Sequence, residues 1–292
     1  MMMKHMFKGV VGLLLGFALV ACGDGSAPVE DIDVEAVDST ALQSELDAFE
    51  SPEVDYHLPS ALQVASIFKK AGMTYNSSAT NGTDKTAQYT SEAEAKLNFG
   101  VYSADLAYCI TNNQSNDARK FISAIQTLAG LQGMESVFEN KDLMTRFDNN
   151  LENKDSIQTI IVEIHERSQE YMEENQMEHV AAVHYAGAWV EGMHLGYTDF
   201  KANPSNENAG FMLAEQMEIL DNIIKGLKDP RNSEVGIEFV TTALESIRTN
   251  FENFDSVKAY RVSDQSADLT LSNEEITNLG EMVSELRVNI VK

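Results

Sequence analysis

Cysteine is nearly missing from this chain, with only Cys22 and Cys109 among 292 residues. Once Cys22 is assigned elsewhere, as argued below, no disulfide can form within the chain, and the fold must rest on buried surface alone. Positive charge is scarce too: 21 Lys and Arg face 46 Asp and Glu, a formal charge of −25. Such a field repels nucleic acid and anionic headgroups, and no basic cluster interrupts it, which excludes a nucleic-acid partner. Catalytic signatures are also lacking. There is no Gly-x-Ser-x-Gly elbow, no phosphate-binding glycine loop and no Cys-x-x-Cys pair, so no enzyme class is expected and no cofactor is implied. The apolar run GVVGLLLGFALV near the start has twelve residues, whereas a bilayer span needs about 20.

That short run is nonetheless informative. It follows Lys4 and Lys8 and ends in small residues, the pattern of a secretory signal peptide over 1–21. Its end, LVAC, resembles the lipobox of bacterial lipoproteins, which implies lipid attachment at Cys22 and a membrane partner reached through that lipid. Gly23 rather than an aspartate follows, and this favours delivery to the outer membrane; which face of it the body occupies is not encoded here. Loss of the leader removes two cations and no acid, taking the charge from −25 to −27. Residues 22–55 then read as an acidic tether: from Gly23 to Phe68 there are eleven acids and no Lys or Arg.

The helical domain is expected over 56–292. Amphipathic segments with caps and breakers follow one another, opened by capping-box spacings at Ser91/Glu94 and Ser272/Glu275. Asp155 and Ser115 or Asn116 are the expected caps of two more. The segment TYNSSATNGTDKTAQYT is a long polar loop. The reading is an all-α bundle of about eight or nine helices sharing one core. A faint repeat relates GVYSADLAY from Gly100 to GAWVEGMHL from Gly187. Two related halves about a pseudo-twofold, or chance similarity of amphipathic helices, account for it equally.

Within AGAWVEGMHLGY, Ala188, Gly192 and Gly196 clear a small-residue groove that another helix can approach, lined by Trp189, Met193 and Tyr197. Glu191 and His194 flank it in Glu-x-x-His spacing, the way di-iron bundles place two ligands on one helix. The second such pair and the further glutamates are lacking, so packing is expected first, a ligand pocket second and a metal third. In EIHERSQ, Gln169 stands where a zinc-protease helix needs its second histidine. Asp105 sits on an apolar helix with Tyr102 and Tyr108 a turn either side, and a buried carboxylate requires a partner. Either a tyrosine, a helix end or an arginine from elsewhere satisfies it, or it joins Glu191 and His194 where the two helices cross. In the second case Tyr102, Asp105, Trp189, Glu191 and His194 would form a small polar ligand pocket. Cys109, on a helical pattern, reads as a small buried hydrophobe.

The phrases LNFGVYSADLAYC, NKDSIQTIIVEI and AGAWVEGMHLGY, with PSALQVASIFKKAGMTYN upstream, resemble a set of uncharacterised all-helical lipoproteins of the Bacteroidota, over most of residues 52–275. The resemblance implies an envelope lipoprotein and carries over no functional residue except Cys22. The expected role is a non-catalytic binding or accessory protein with an envelope protein partner. The alternative is a small-ligand or metal-binding lipoprotein.

Overall fold

A computed structural model gives the structure of residues 60–292, apart from 71, 140, 152, 207 and 264–266. The expected signal peptide, Cys22 and the tether lie outside the described residues. Among the described residues the chain forms α-helices and short 3-10 turns and no strand, as the periodicity requires. The helices are α1 (Ala61–Lys70), α2 (Glu92–Thr111), α3 (Ser115–Leu131), α4 (Lys141–Asn149), α5 (Lys154–Glu174), α6 (Glu178–Ala202), α7 (Asn208–Met217), α8 (Leu220–Leu227), α9 (Glu238–Glu252), α10 (Asp255–Val262) and α11 (Asn273–Ile290).

These segments outnumber the eight or nine expected, for two local reasons. One expected helix is split at Glu218–Ile219, between α7 and α8. There the Trp189 indole N–H takes the Gln216 carbonyl at 2.9 Å, drawing it off the helical ladder. The other addition is α10, which restarts after extended backbone at Phe254. Both expected capping boxes are present, with Ser91 and Glu94 opening α2 and Ser272 and Glu275 opening α11. The cap of α5 is Asn153 rather than Asp155, its Oδ1 accepting from the Ser156 N–H at 3.1 Å. Ser115 is the first residue of α3 instead of its cap, and donates to the Leu151 carbonyl. None of the described helices is long and apolar enough to cross a membrane.

α2 and α6 are buried almost all round, as helices without a polar face must be. They cross in close contact at two glycines. A Cβ on Gly100 would lie 1.8 Å from the His184 carbonyl oxygen, and one on Gly187 would lie 2.0 Å from that of Leu97. The same sequence offset separates Gly187 from Gly100 and His184 from Leu97, so the crossing is reciprocal. This is the geometry of a local pseudo-twofold, and it falls where the sequence repeat does. The small residues Ala188 and Gly192, one step round α6, face Ala61 and Ala65 of α1 across a void of only about 20 Å³.

Buried apolar side chains gather on both sides of this crossing. Leu106, Phe121, Ile125, Leu143, Phe147 and Ile160 belong to a cluster built by α2 to α5. Val190, Leu213, Ile223, Val240, Leu244 and Val283 belong to one built by α6 to α11. α2 serves both, giving Tyr102 and Leu106 to the first and Leu97 and Val101 to the second. The long polar loop lies largely on the surface but is pinned inward at a few points. Met73, Ala79, Asn81 and Tyr89 are buried, and two 3-10 turns (Ser77–Ala79 and Thr83–Gln88) shape it.

Candidate functional site

The loop ends against the centre of the α2–α6 pair, where the buried acids Asp105 and Glu191 meet. Glu191 of α6 is 0% exposed, and Arg287 of α11 grips it with both arms. Nε donates to Oε2 at 2.6 Å and Nη2 to Oε1 at 2.7 Å. This bidentate fork is the strong form of the arginine–carboxylate bond. Nη2 also donates to the Ala79 carbonyl at 3.3 Å, which ties the loop to the pair.

Asp105 of α2 is also 0% exposed and lies beside Glu191. The Asn81 N–H donates to its Oδ2 at 3.1 Å, while Oδ1 has no donor to accept from. An ionised carboxylate tolerates that poorly in a dry interior. Burial first, and then the negative charge of Glu191, push the Asp105 pKa well above the usual carboxylate range. Burial raises the Glu191 pKa too, but there the Arg287 charge and its fork of hydrogen bonds oppose the rise, so Asp105 is the acid of the pair favoured to keep its proton.

His194, a turn along α6, borders the same cluster. Its Nδ1 lies 3.4 Å from Ser284 Oγ, and it hydrogen-bonds the Ala79 carbonyl that Arg287 also uses. Burial, then the Arg287 charge, lower its pKa to about 3, so the ring is neutral. Asp105, Glu191 and His194 thus come together. Tyr102 lies at the edge, donating to the Gly82 carbonyl at 2.8 Å. Trp189 does not join them, because its indole is committed to Gln216 on the other side of α6. Cys109 is fully buried with its thiol pushed up to about 12 by burial, which leaves it inert as a nucleophile. Among the described residues, no group of three or more His, Cys, Asp or Glu is placed to hold a metal ion.

Several members of the network are silent in the sequence. Arg287 reads there as an ordinary cation in the last turn of a helix, and Asn81 as a loop residue. Around them, Asn98 Nδ2 donates to the Ile290 carbonyl at 2.9 Å and Lys85 Nζ to that of Val291 at 2.7 Å. These bonds satisfy carbonyls that the end of α11 leaves open. A neutral acid beside a carboxylate can in principle move protons. Here both oxygens of Glu191 are held by Arg287, and the arrangement binds α2, α6, α11 and the loop together.

The open space lies elsewhere. A half-open cavity of about 320 Å³ lies between α2, α3, α5, α6 and the start of α1. Its walls are mainly apolar, with Phe99, Leu106, Ile122, Ile125, Ile164 and Met172 among them. Neither Asp105 nor Glu191 lines it. His165, Glu166 and Gln169, from the incomplete zinc-protease pattern, do. His184 at the wall stacks on Phe99, with ring centroids 4.3 Å apart, and its Nε2–H donates to Gln132 Oε1 at 2.7 Å. Of the α2 residues at its wall, Ser103 and Ala107 are small, a faint sequence trace of the space beside them. Compared with protein-family models, curated proteins and solved structures, the chain finds no match.

Proposed function

We propose that this chain is a non-catalytic binding protein of the cell envelope, held at the outer membrane by a lipid on Cys22, whose helical body takes up a small apolar ligand. The observation that carries the binding role is the cavity of about 320 Å³ with its aliphatic and aromatic walls, a size and lining typical of small-molecule sites. Asp105, Glu191 and Arg287 hold helices and loop together, which gives them an architectural role. The lipobox-like LVAC and the acidic tether support the anchor. Loss of labelled palmitate from the Cys22→Ala chain, with retention by wild type, is the result expected of a lipoprotein.

Binding is tested with the uncharged fluorophore phenylnaphthylamine and the chain from residue 22 onward, carrying Cys22→Ser to leave it unlipidated. Saturable fluorescence enhancement is expected, and Ser103→Phe, which fills the cavity from α2, should abolish it. Because the cavity opens to solvent, the added ring enters existing space without displacing packed side chains, so the variant should melt close to the wild-type temperature. Equal enhancement by wild type and Ser103→Phe would place the fluorophore elsewhere and end the cavity reading.

A second reading, an accessory subunit with an envelope protein partner, is favoured by one surface feature. Phe239 of α9 is 43% exposed at a groove of about 550 Å³ lined also by Ala243, Met282 and Leu286. Cross-linked envelopes should then yield a stoichiometric partner that is lost from Phe239→Glu. Recovery of the same partner with that variant would separate the interaction from the groove.

A further inference from the structure

The cavity is apolar throughout most of its wall; Gln169, Tyr185 and His165 bring donors to it, while its serines and the one charged group among its described lining residues, Glu166, offer acceptors. Ser103 Oγ gives its proton to the Phe99 carbonyl at 2.7 Å, and Ser168 Oγ gives its own to Ile164 at 2.9 Å. Each hydroxyl proton is spent on its own helix, so what remains is a lone pair that can accept. Glu166, exposed at the rim, is an acceptor carrying a negative charge. No Lys or Arg stands among the described lining residues. Lys96, the cation that acts on His184, is paired with Glu92. His184 has its Nε2–H committed to Gln132, and both His184 and His165 are kept neutral by burial.

We propose that this cavity selects a medium-length alkyl amphiphile whose head donates hydrogen bonds and carries no negative charge, an alcohol or an amine, and discriminates against the corresponding carboxylate. The inference rests on the binding role proposed above and specifies its ligand class. Length follows from volume: at about 30 Å³ per water-sized group, 320 Å³ holds roughly ten such groups. Head chemistry follows from the wall. An alcohol or ammonium finds serine lone pairs and the Glu166 carboxylate. A carboxylate finds no Lys or Arg in the described lining to offset its lost hydration and meets the like charge of Glu166 at the rim.

The test is displacement of phenylnaphthylamine from the chain carrying Cys22→Ser at neutral pH by decanol, decylamine and decanoate. Decanol and decylamine should displace the fluorophore at concentrations at least about tenfold below that needed for decanoate, the factor that ~1.4 kcal/mol of unpaired charge would produce. In Glu166→Lys, an exposed substitution that leaves the core untouched, decanoate should gain affinity and decylamine should lose it. Decanoate binding as tightly as decanol to wild type, or an unchanged ranking in Glu166→Lys, would overturn the selectivity while leaving the cavity reading intact. Failure of the fluorophore itself to bind would overturn the cavity reading and this inference with it.

Discussion

Replacing Arg287 with methionine is expected to destabilise the fold by about 3–5 kcal/mol, because it strands the Glu191 carboxylate at 0% exposure with its fork of donors gone. For a body of this size that corresponds to a fall in melting temperature on the order of 10 °C. Adding Glu191→Met to the same chain should restore most of the loss, since a buried ion pair replaced as a whole by apolar groups is often close to neutral. Asp105→Asn provides the opposite case. Asparagine reproduces the neutral acid's shape and keeps a donor toward Glu191. An acid whose pKa rises on folding contributes its full stability below its ordinary value, about 3.9, and loses that contribution as pH climbs toward the folded value. Wild type should therefore weaken relative to Asp105→Asn as pH rises from about 4 to 8, and the two should converge at the acid end. Thermal melts across that range check both. An Asp105→Asn chain that melts well below wild type at the alkaline end would mean that Asp105 is ionised in the fold.

The other large effect belongs to the helix crossing. Gly100→Ala and Gly187→Ala each place a methyl about 2 Å from a carbonyl oxygen of the opposite helix, and helix backbone cannot rotate aside as a side chain can. The pair must move apart, at a cost of about 1–3 kcal/mol or more for an overpacked core. The gain in helix propensity, about 1 kcal/mol per replaced glycine, is too small to cancel it. Because both methyls push on one interface, the double substitution should cost less than the sum of the singles. Gly130→Ala is the internal control. Its nearest neighbour would be Glu135 Cγ at 3.7 Å, so urea unfolding should show no loss and up to about 1 kcal/mol of gain. Additive losses at Gly100 and Gly187 would argue that the two helices do not share one crossing.

What the sequence discloses and what it hides follow from the range of the interactions. Caps such as Ser91/Glu94 are local and can be read directly, as can the apolar periodicity that makes the chain all-α. The small residues of α6 announce close approach one step round from where it is tightest: Ala188 and Gly192 face α1, and the crossing with α2 is made at Gly187 and Gly100, which agrees with the faint repeat. Glu191 attracts notice because a carboxylate interrupts an apolar run, but its partner lies 96 residues away in the chain. No spacing rule connects Glu191 to Arg287. The repeat gives no help either, since Ala104 stands where the first half would need Glu191's counterpart. Likewise the break after Met217 has no glycine or proline to mark it; it is made by an indole from another helix. The cavity leaves the weakest trace of all. Empty space is a property of how side chains from five helices meet, and the pattern of no one of them marks it.

The grip of Arg287 on Glu191 also sets an order of events. A ribosome delivers Asp105 and Glu191 long before Arg287, and until α11 emerges the two acids have no cation to meet them. Burying them before it arrives would leave two acids in a dry interior with no cation, so closure of the α2–α6 pair is coupled to the docking of α11.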